Sequence, residues 1–295
     1  MLPNILILPG VILIVAVLLA GGFFLYIYWW LVQRPTPKLD GAVRLACLEQ
    51  PVEVLRDRHG IPHIYAQTLG DLLRAQGYVH AQERLWQMEQ NRRIARGTLA
   101  EVYGEAALDA DRFSRIVGFR RAAAAELAGL DAETRQALAW YAEGVNAFIE
   151  AHPGRLGAEF NLLRVTPEPW QPEDMIAHAK VMAWGLSVNW ESELTRLRLQ
   201  ARIGPIRAAD LEPDYPATNP VIAEAVGSHE STRLLSAAGL LLNEYEKVKP
   251  WLGQPVEGRG SNAWAVAPKR SASRRALLCN DPHLALQMPG VWFEN

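Results

Sequence analysis

Cysteine is almost missing from this chain: Cys47 and Cys279 are the two among 295 residues. They cannot build a disulfide framework or a C-x-x-C metal set, and nothing supports a bridge between them. An excess of one charge is lacking too. Thirty basic residues face 32 acidic ones, for a net charge of -2, and no basic run is long enough to follow a phosphate backbone, which argues against nucleic acid as a partner. Of the seven histidines only His59 and His63 stand four apart, and Gly60 and Pro62 between them forbid the helix a zinc protease needs. Internal repeats and low-complexity tracts are absent as well. What is present is 49% hydrophobic residues, enough for a sizeable core in one large or two ordinary domains.

Charge is also missing from Ile5 to Val32, an almost wholly apolar run that ends in Tyr26, Tyr28, Trp29 and Trp30 before Arg34. It is long enough to span a bilayer, with aromatic residues for one interface. Met1 to Asn4 carries no Lys or Arg, and the apolar run exceeds an ordinary signal peptide, so a retained anchor over residues 1–34 is expected. Arg34 and Lys38 on its C-terminal side favour a cytoplasmic body by the positive-inside rule.

Pro35, Pro37 and Gly41 mark a linker over 35–50. The alternation from Val52 to Asp57, a stop at His59-Gly60-Ile61-Pro62 and a resumed alternation predict a hairpin-like unit. One long amphipathic helix is predicted from Asp71 to about Gly97, with Glu83, Arg84, Glu89, Arg92 and Arg93 pairing on its surface or between helices. Further helices are predicted at 109–127, 132–151 and 172–202, separated by His152-Pro153-Gly154 and the proline-rich stretch from Pro167 to Pro172. From Asp210 to Gly260 the chain turns to linker or partly helical loop, with Pro213, Pro216, Pro220, Pro250 and Pro255 and periodicity only near Leu234 to Glu246.

Gly260-Ser261-Asn262-Ala263-Trp264 then opens an alternating run that reads as a strand. Taken alone, Gly-Ser-Asn before a strand is a common turn. Its context is more particular. VLRDRHGIPHIYA near the start of the body, GYVHAQERLWQMEQNRRIARGTLAEVYG in the long helix, and GRGSNAWAVAPKRSASRRALLCNDPH around Ser261 together resemble the penicillin acylase family of N-terminal nucleophile hydrolases. The likeness covers nearly all of the chain from Val52 to Asn295.

That resemblance implies an α+β protein: a membrane helix, a mostly helical first chain over 51–210, a spacer over 211–260, and over 261–295 the first strands of an αββα sandwich. It implies a precursor that cleaves itself at Gly260-Ser261 and becomes a heterodimer of its two chains. It also implies an exported body, periplasmic or extracytoplasmic, and that placement is preferred to the cytoplasmic one. The substrate implied is a small linear amide, of penicillin or N-acyl type, with acyl-homoserine lactones as an alternative. No organic cofactor is implied. A structural Ca²⁺ is, with Glu193 as one carboxylate ligand and Glu191 as its rival.

The chemistry explains why Ser261 would have to become a chain terminus. A serine hydroxyl is a weak nucleophile until a base takes its proton, and a free α-amine, with an ordinary pKa of about 8, can be that base near neutral pH. His283 occupies the place where the family has a residue beside the nucleophile, its backbone serving the oxyanion site and its side chain able to orient the terminal amine. By the same likeness Met182, Leu186 and Leu284 match positions lining the acyl pocket. Leucines where penicillin G acylases carry phenylalanines favour an aliphatic or mixed acyl group. Remaining residues of the site, an oxyanion-site asparagine among them, are expected beyond Asn295.

Two other readings compete. One is a membrane-anchored helical binding module without turnover. The other is a Ser/His/Asp hydrolase of Ser261, His283 and Asp281, disfavoured because Asp281 and His283 stand too close in sequence to orient one another and because no G-x-S-x-G elbow is present.

Overall fold

In a computed structural model of the chain, residues 4–187, 189–211, 231–252, 260–284 and 286–295 are described. The chain begins with α1 (Asn4–Tyr28), which winds on through a π-helical turn at Trp29–Gln33. Strands β1 (Glu53–Arg56) and β2 (Pro62–Tyr65) follow. A helical series comes next: α2 (Leu69–Arg96), α3 (Ala100–Tyr103), α4 (Leu108–Val117), α5 (Phe119–Gly129), α6 (Ala132–Ala151), α7 (Ala158–Leu163), α8 (Pro172–Leu186), α9 (Asn189–Ile203) and α10 (Pro205–Ala209). After α11 (Ser231–Leu252) come β3 (Ser261–Val266) and β4 (Leu277–Pro282). Helices thus dominate, and among the described residues the sheets are two antiparallel pairs, β1–β2 and β3–β4.

The chain divides into two compact units. The first holds residues 1–92, 124–176 and 292–295. Its apolar lead, Gly10–Gln33, has a mean hydropathy of 2.7 and none of it is buried, so by length and composition it could cross a membrane. The β1–β2 hairpin closes on Asp57, whose Oδ1 accepts the backbone N–H of His59 and Ile61 at 2.8 and 3.0 Å. Gly60, at φ +80°, supplies the turn that a side chain would oppose.

Helix α2 starts on a cap: Thr68 Oγ1 accepts from Asp71 N–H at 3.1 Å. The fully buried Asp71 carboxylate accepts in turn from Glu49 and Gln50 N–H at 2.9 and 3.0 Å, tying the incoming linker to the helix. Burial would raise its pKa, but those backbone donors, with Thr68 and Arg74, outweigh it and hold the carboxyl below the usual range. Helices α2 and α6 meet backbone to backbone. A Cβ on Gly77 would lie 2.1 Å from the Tyr141 carbonyl oxygen, and one on Gly144 1.8 Å from that of Arg74. This close approach gathers Ala81, Leu85, Ala142, Val145, Phe148, Phe160 and Trp170 into the core of the unit. Two of the charges expected to pair on or between helices do so in the interior. Arg92 and Glu89 pair while buried, with Arg92 Nη1 donating to the Glu168 carbonyl at 2.9 Å and its guanidinium 4.9 Å over the Trp170 ring.

The second unit holds residues 93–123 and 177–291. It departs from the expected helix pattern at three places. The single helix expected over 109–127 is broken at Gly118, which takes a left-handed φ of +82° between α4 and α5. The helix expected over 172–202 stops at Leu186 and restarts at Asn189. The third departure lies in the stretch read as loop or spacer. Residues 212–230 and 253–259 lie outside the described residues, but Ser231–Leu252 between them is a 22-residue helix with Tyr245 and Val248 buried. The helical period around Leu234 to Glu246 therefore extends through Pro250, because a packed aromatic face holds it. Tyr245 meets Trp190 at 4.7 Å and Phe113 at 5.6 Å between ring centroids, and Trp184 joins the same cluster. At its end Lys249 binds Glu191 at 2.9 Å and also Glu246. Burial would lower the Lys249 pKa, but the two carboxylates push it up to about 12.

Candidate active site at the head of the β3–β4 hairpin

Strand β3 begins on Ser261, as the alternation Ser261, Ala263, Ala265 against Asn262, Trp264, Val266 predicts. It pairs antiparallel with β4 in a register that sets Ser261 opposite Pro282 and Val266 opposite Leu277. That register brings His283, one residue past the end of β4, beside Ser261. The His283 backbone N–H donates to Ser261 Oγ at 3.4 Å, a long bond at the weak end of the range. Its imidazole is engaged elsewhere: Nε2 lies 2.9 Å from Asp281 Oδ2. A carboxylate only accepts, so Nε2 carries the proton.

This pairing corrects the expectation that Asp281 and His283 are too close to orient one another. Along an extended chain residues two apart point to the same side, so a short carboxylate and an imidazole on either side of Pro282 can reach each other. The same alternation that revealed the strand could have revealed the pair. The group facing the Ser261 hydroxyl, however, is an amide N–H and not an imidazole nitrogen.

Gly260 stands in open space, where a Cβ would meet no atom within 4 Å. The hairpin itself is uncovered on its apolar side chains: Trp264 is 50% and Leu278 83% exposed.

The other expected site residues are less concentrated. Met182 and Leu186 share helix α8, Met182 half-buried and Leu186 57% exposed. Leu284, half-buried, follows His283. None of the three lines either of two open cavities formed among the described residues. One of these, about 240 Å³, is bounded by Leu73, Leu138, Tyr141 and Met175, and the other, about 540 Å³, by Leu108, Asp111, Arg112 and Arg115. Glu193 is exposed on α9, and its rival Glu191 is taken by Lys249. Among the described residues no three His, Cys, Asp or Glu side chains gather as a metal site, so a lone carboxylate at 193 does not make one.

Comparison with known proteins places this hairpin and the helices before it. The sequence profile of the penicillin amidase family matches residues 51–295. The chain belongs to that family. Acyl-homoserine lactone acylase QuiP of Pseudomonas aeruginosa is 35% identical over 257 residues, 87% of this chain and 30% of its own length. Penicillin acylase 2 proenzyme of Pseudomonas sp. strain SE83 is likewise 35% identical, over 264 residues, covering 89% of this chain and 34% of the proenzyme. Among solved structures, a thermostable penicillin G acylase from Alcaligenes faecalis is 31% identical, covers 60% of this chain and 100% of its own, and superposes with a TM-score of 0.49. The chain thus spans about a third of the length of the curated penicillin amidase relatives it matches.

Proposed function

We propose that the protein is an amidohydrolase precursor that cleaves itself at Gly260-Ser261 and then hydrolyses a linear amide through an acyl ester on Ser261. Ser261 Oγ attacks the Gly260 carbonyl carbon, the peptide C–N bond breaks, and an ester joins Gly260 to the hydroxyl while the Ser261 nitrogen becomes a free amine. Water then opens the ester. The freed α-amine takes the hydroxyl proton when the same oxygen attacks a substrate amide, and the departing amine carries a proton away. A second water releases the carboxylic acid. The observation that carries this reading is the 3.4 Å approach of the His283 N–H to Ser261 Oγ, at the start of a strand whose preceding residue is an unobstructed glycine. An N–H held there fixes the hydroxyl oxygen for attack and can stabilise the negative charge that gathers on Oγ as its proton leaves.

For the substrate, the relatives' names favour an acylated amine, of penicillin or acyl-homoserine lactone type. Leu186 and Leu284 with Met182 make the acyl side aliphatic or mixed. Glu193 supplies one carboxylate ligand of a structural calcium, the hard oxygen donor that ion takes. The helix from Asn4 to Gln33 is a retained membrane anchor with the body exported, and the two processed chains stay together as a heterodimer. Mass spectrometry of the full-length protein tests the core of this reading. Wild type is expected as two chains parted before Ser261 and Ser261→Ala as one. Identical chains in both would overturn it, and an uncut bond in wild type would favour the membrane-anchored binding module.

A further inference from the structure

After the hairpin the chain returns to the first unit, where Trp292–Asn295 rests on helix α2. Each polar contact is specific. Gln76 Nε2 donates to Asn295 Oδ1 at 3.0 Å, and Asn295 Nδ2 lies 2.7 Å from His80 Nε2. The His80 and Phe293 rings also meet at right angles, centroids 5.5 Å apart, and the Arg84 guanidinium lies over the Phe293 ring, 5.4 Å from its centroid. Behind His80, its Nδ1 is 2.8 Å from the Tyr141 hydroxyl on α6.

The amide orientations fix the direction of these bonds. Asn295 Oδ1 accepts from Gln76 Nε2, which leaves the Asn295 NH₂ facing His80 Nε2. An NH₂ only donates, so Nε2 is bare and the proton is on Nδ1, from which it is given to the Tyr141 oxygen. Burial depresses the His80 pKa and so favours the neutral ring this chain of bonds requires. Tyr141, on the neighbouring helix, therefore supports the His80 ring in the tautomer that holds Asn295.

We propose that Gln76, His80 and Tyr141 form a seat for residues 292–295 that fastens the chain downstream of Ser261 to the chain upstream of Gly260, and that after cleavage this seat clasps the two chains together. The clasp rests on the self-cleavage reading; the seat does not. His80 is a positioning residue here and touches no reacting atom.

The test uses the full-length protein and the variants His80→Ala, Asn295→Ala, their double, and Tyr141→Phe, which removes one hydroxyl and leaves the core filled. Hydrogen exchange of the amides at 292–295 reads the seat whether or not the chain is cut. His80→Ala is expected to speed it roughly tenfold, the worth of one hydrogen bond, and Tyr141→Phe by a smaller factor in the same direction. The urea concentration that separates the chains on size exclusion reads the clasp. It should fall in each single variant, and the double should fall by less than the sum of the two single effects, since both remove the Asn295–His80 bond. Unchanged exchange in both His80→Ala and Tyr141→Phe would overturn the seat. Faster exchange with unchanged chain separation, or single effects that simply add, would overturn the clasp. A wild-type protein that stays in one piece on a denaturing gel would remove the clasp along with self-cleavage while the exchange measurement still judges the seat.

Discussion

Asp281 Oδ2 and His283 Nε2 are 2.9 Å apart across a single proline, and the His283 main chain, not its ring, is what meets Ser261. The pair therefore orients an imidazole without placing it as the base for the hydroxyl. If it worked as part of a triad, losing the carboxylate would slow reaction by about 10⁴-fold. With the α-amine of Ser261 as base, Asp281→Asn is expected to keep both self-cleavage and turnover within about tenfold of wild type, while Ser261→Ala abolishes both. Single-turnover rates on the full-length protein decide the matter, and a thousandfold loss in Asp281→Asn would restore the triad.

Gly260 contributes no packing, because the space around it is empty. Its replacement should act on reaction and not on folding. Gly260→Ala is expected to leave the melting temperature unchanged and to slow self-cleavage by roughly tenfold, about 1.4 kcal/mol, because a side chain beside the attacked carbonyl crowds the approach of Ser261 Oγ. A time course of chain separation on denaturing gels measures it. A lowered melting temperature would show that residue 260 serves the fold instead.

Much of the helical frame was legible because its signals are local. Helix α6 has the bounds the sequence predicts, Ala132 to Ala151, with Asp131 accepting from Thr134 N–H at its start. The hairpin at Asp57 to Pro62 and the strand opening at Ser261 follow from alternation and turn residues in the same way. The break at Gly118 was hidden because apolar spacing runs on across it. What bends the chain there is a left-handed backbone with the Arg121 guanidinium 2.4 Å from where a Cβ would be. The full length of helix α11 was obscured by Pro250 and by the prolines outside it, since its stability comes from Tyr245 packing on Phe113 and Trp190, partners distant in sequence. The seat at His80 was illegible for the same reason: a lone histidine on a helix reveals nothing until Tyr141 and Asn295 are brought to it.

Two glycines in helices should answer oppositely to alanine. At Gly144 the new methyl would meet the Arg74 carbonyl at 1.8 Å, so α2 and α6 must move apart, at a cost of about 3 kcal/mol. At Gly239, inside α11, a methyl meets nothing within 4 Å, and the better helix former should stabilise by about 0.5–1 kcal/mol. Urea unfolding of Gly144→Ala and Gly239→Ala checks both signs. A neutral Gly144→Ala would mean that the helices do not approach this closely.

Asp71 makes the linker's attachment to α2 sensitive to acid. Its pKa is lowered in the folded chain, so between the folded value and the ordinary value of about 3.9 the unfolded state binds more protons, and stability rises with pH in that window. The contribution is complete above the ordinary value and is lost as pH falls through the folded one. Asp71→Asn keeps one acceptor oxygen for the two backbone donors of Glu49 and Gln50 and removes the charge facing Arg74 at 3.3 Å. The variant is therefore expected to unfold at lower urea than wild type at pH 7, with the difference shrinking as the pH is taken below 4. Urea midpoints of the two proteins across that range carry the test. A gap that stays constant down to pH 2.5 would assign the loss to hydrogen-bond geometry instead of to the charge that Asp71 carries.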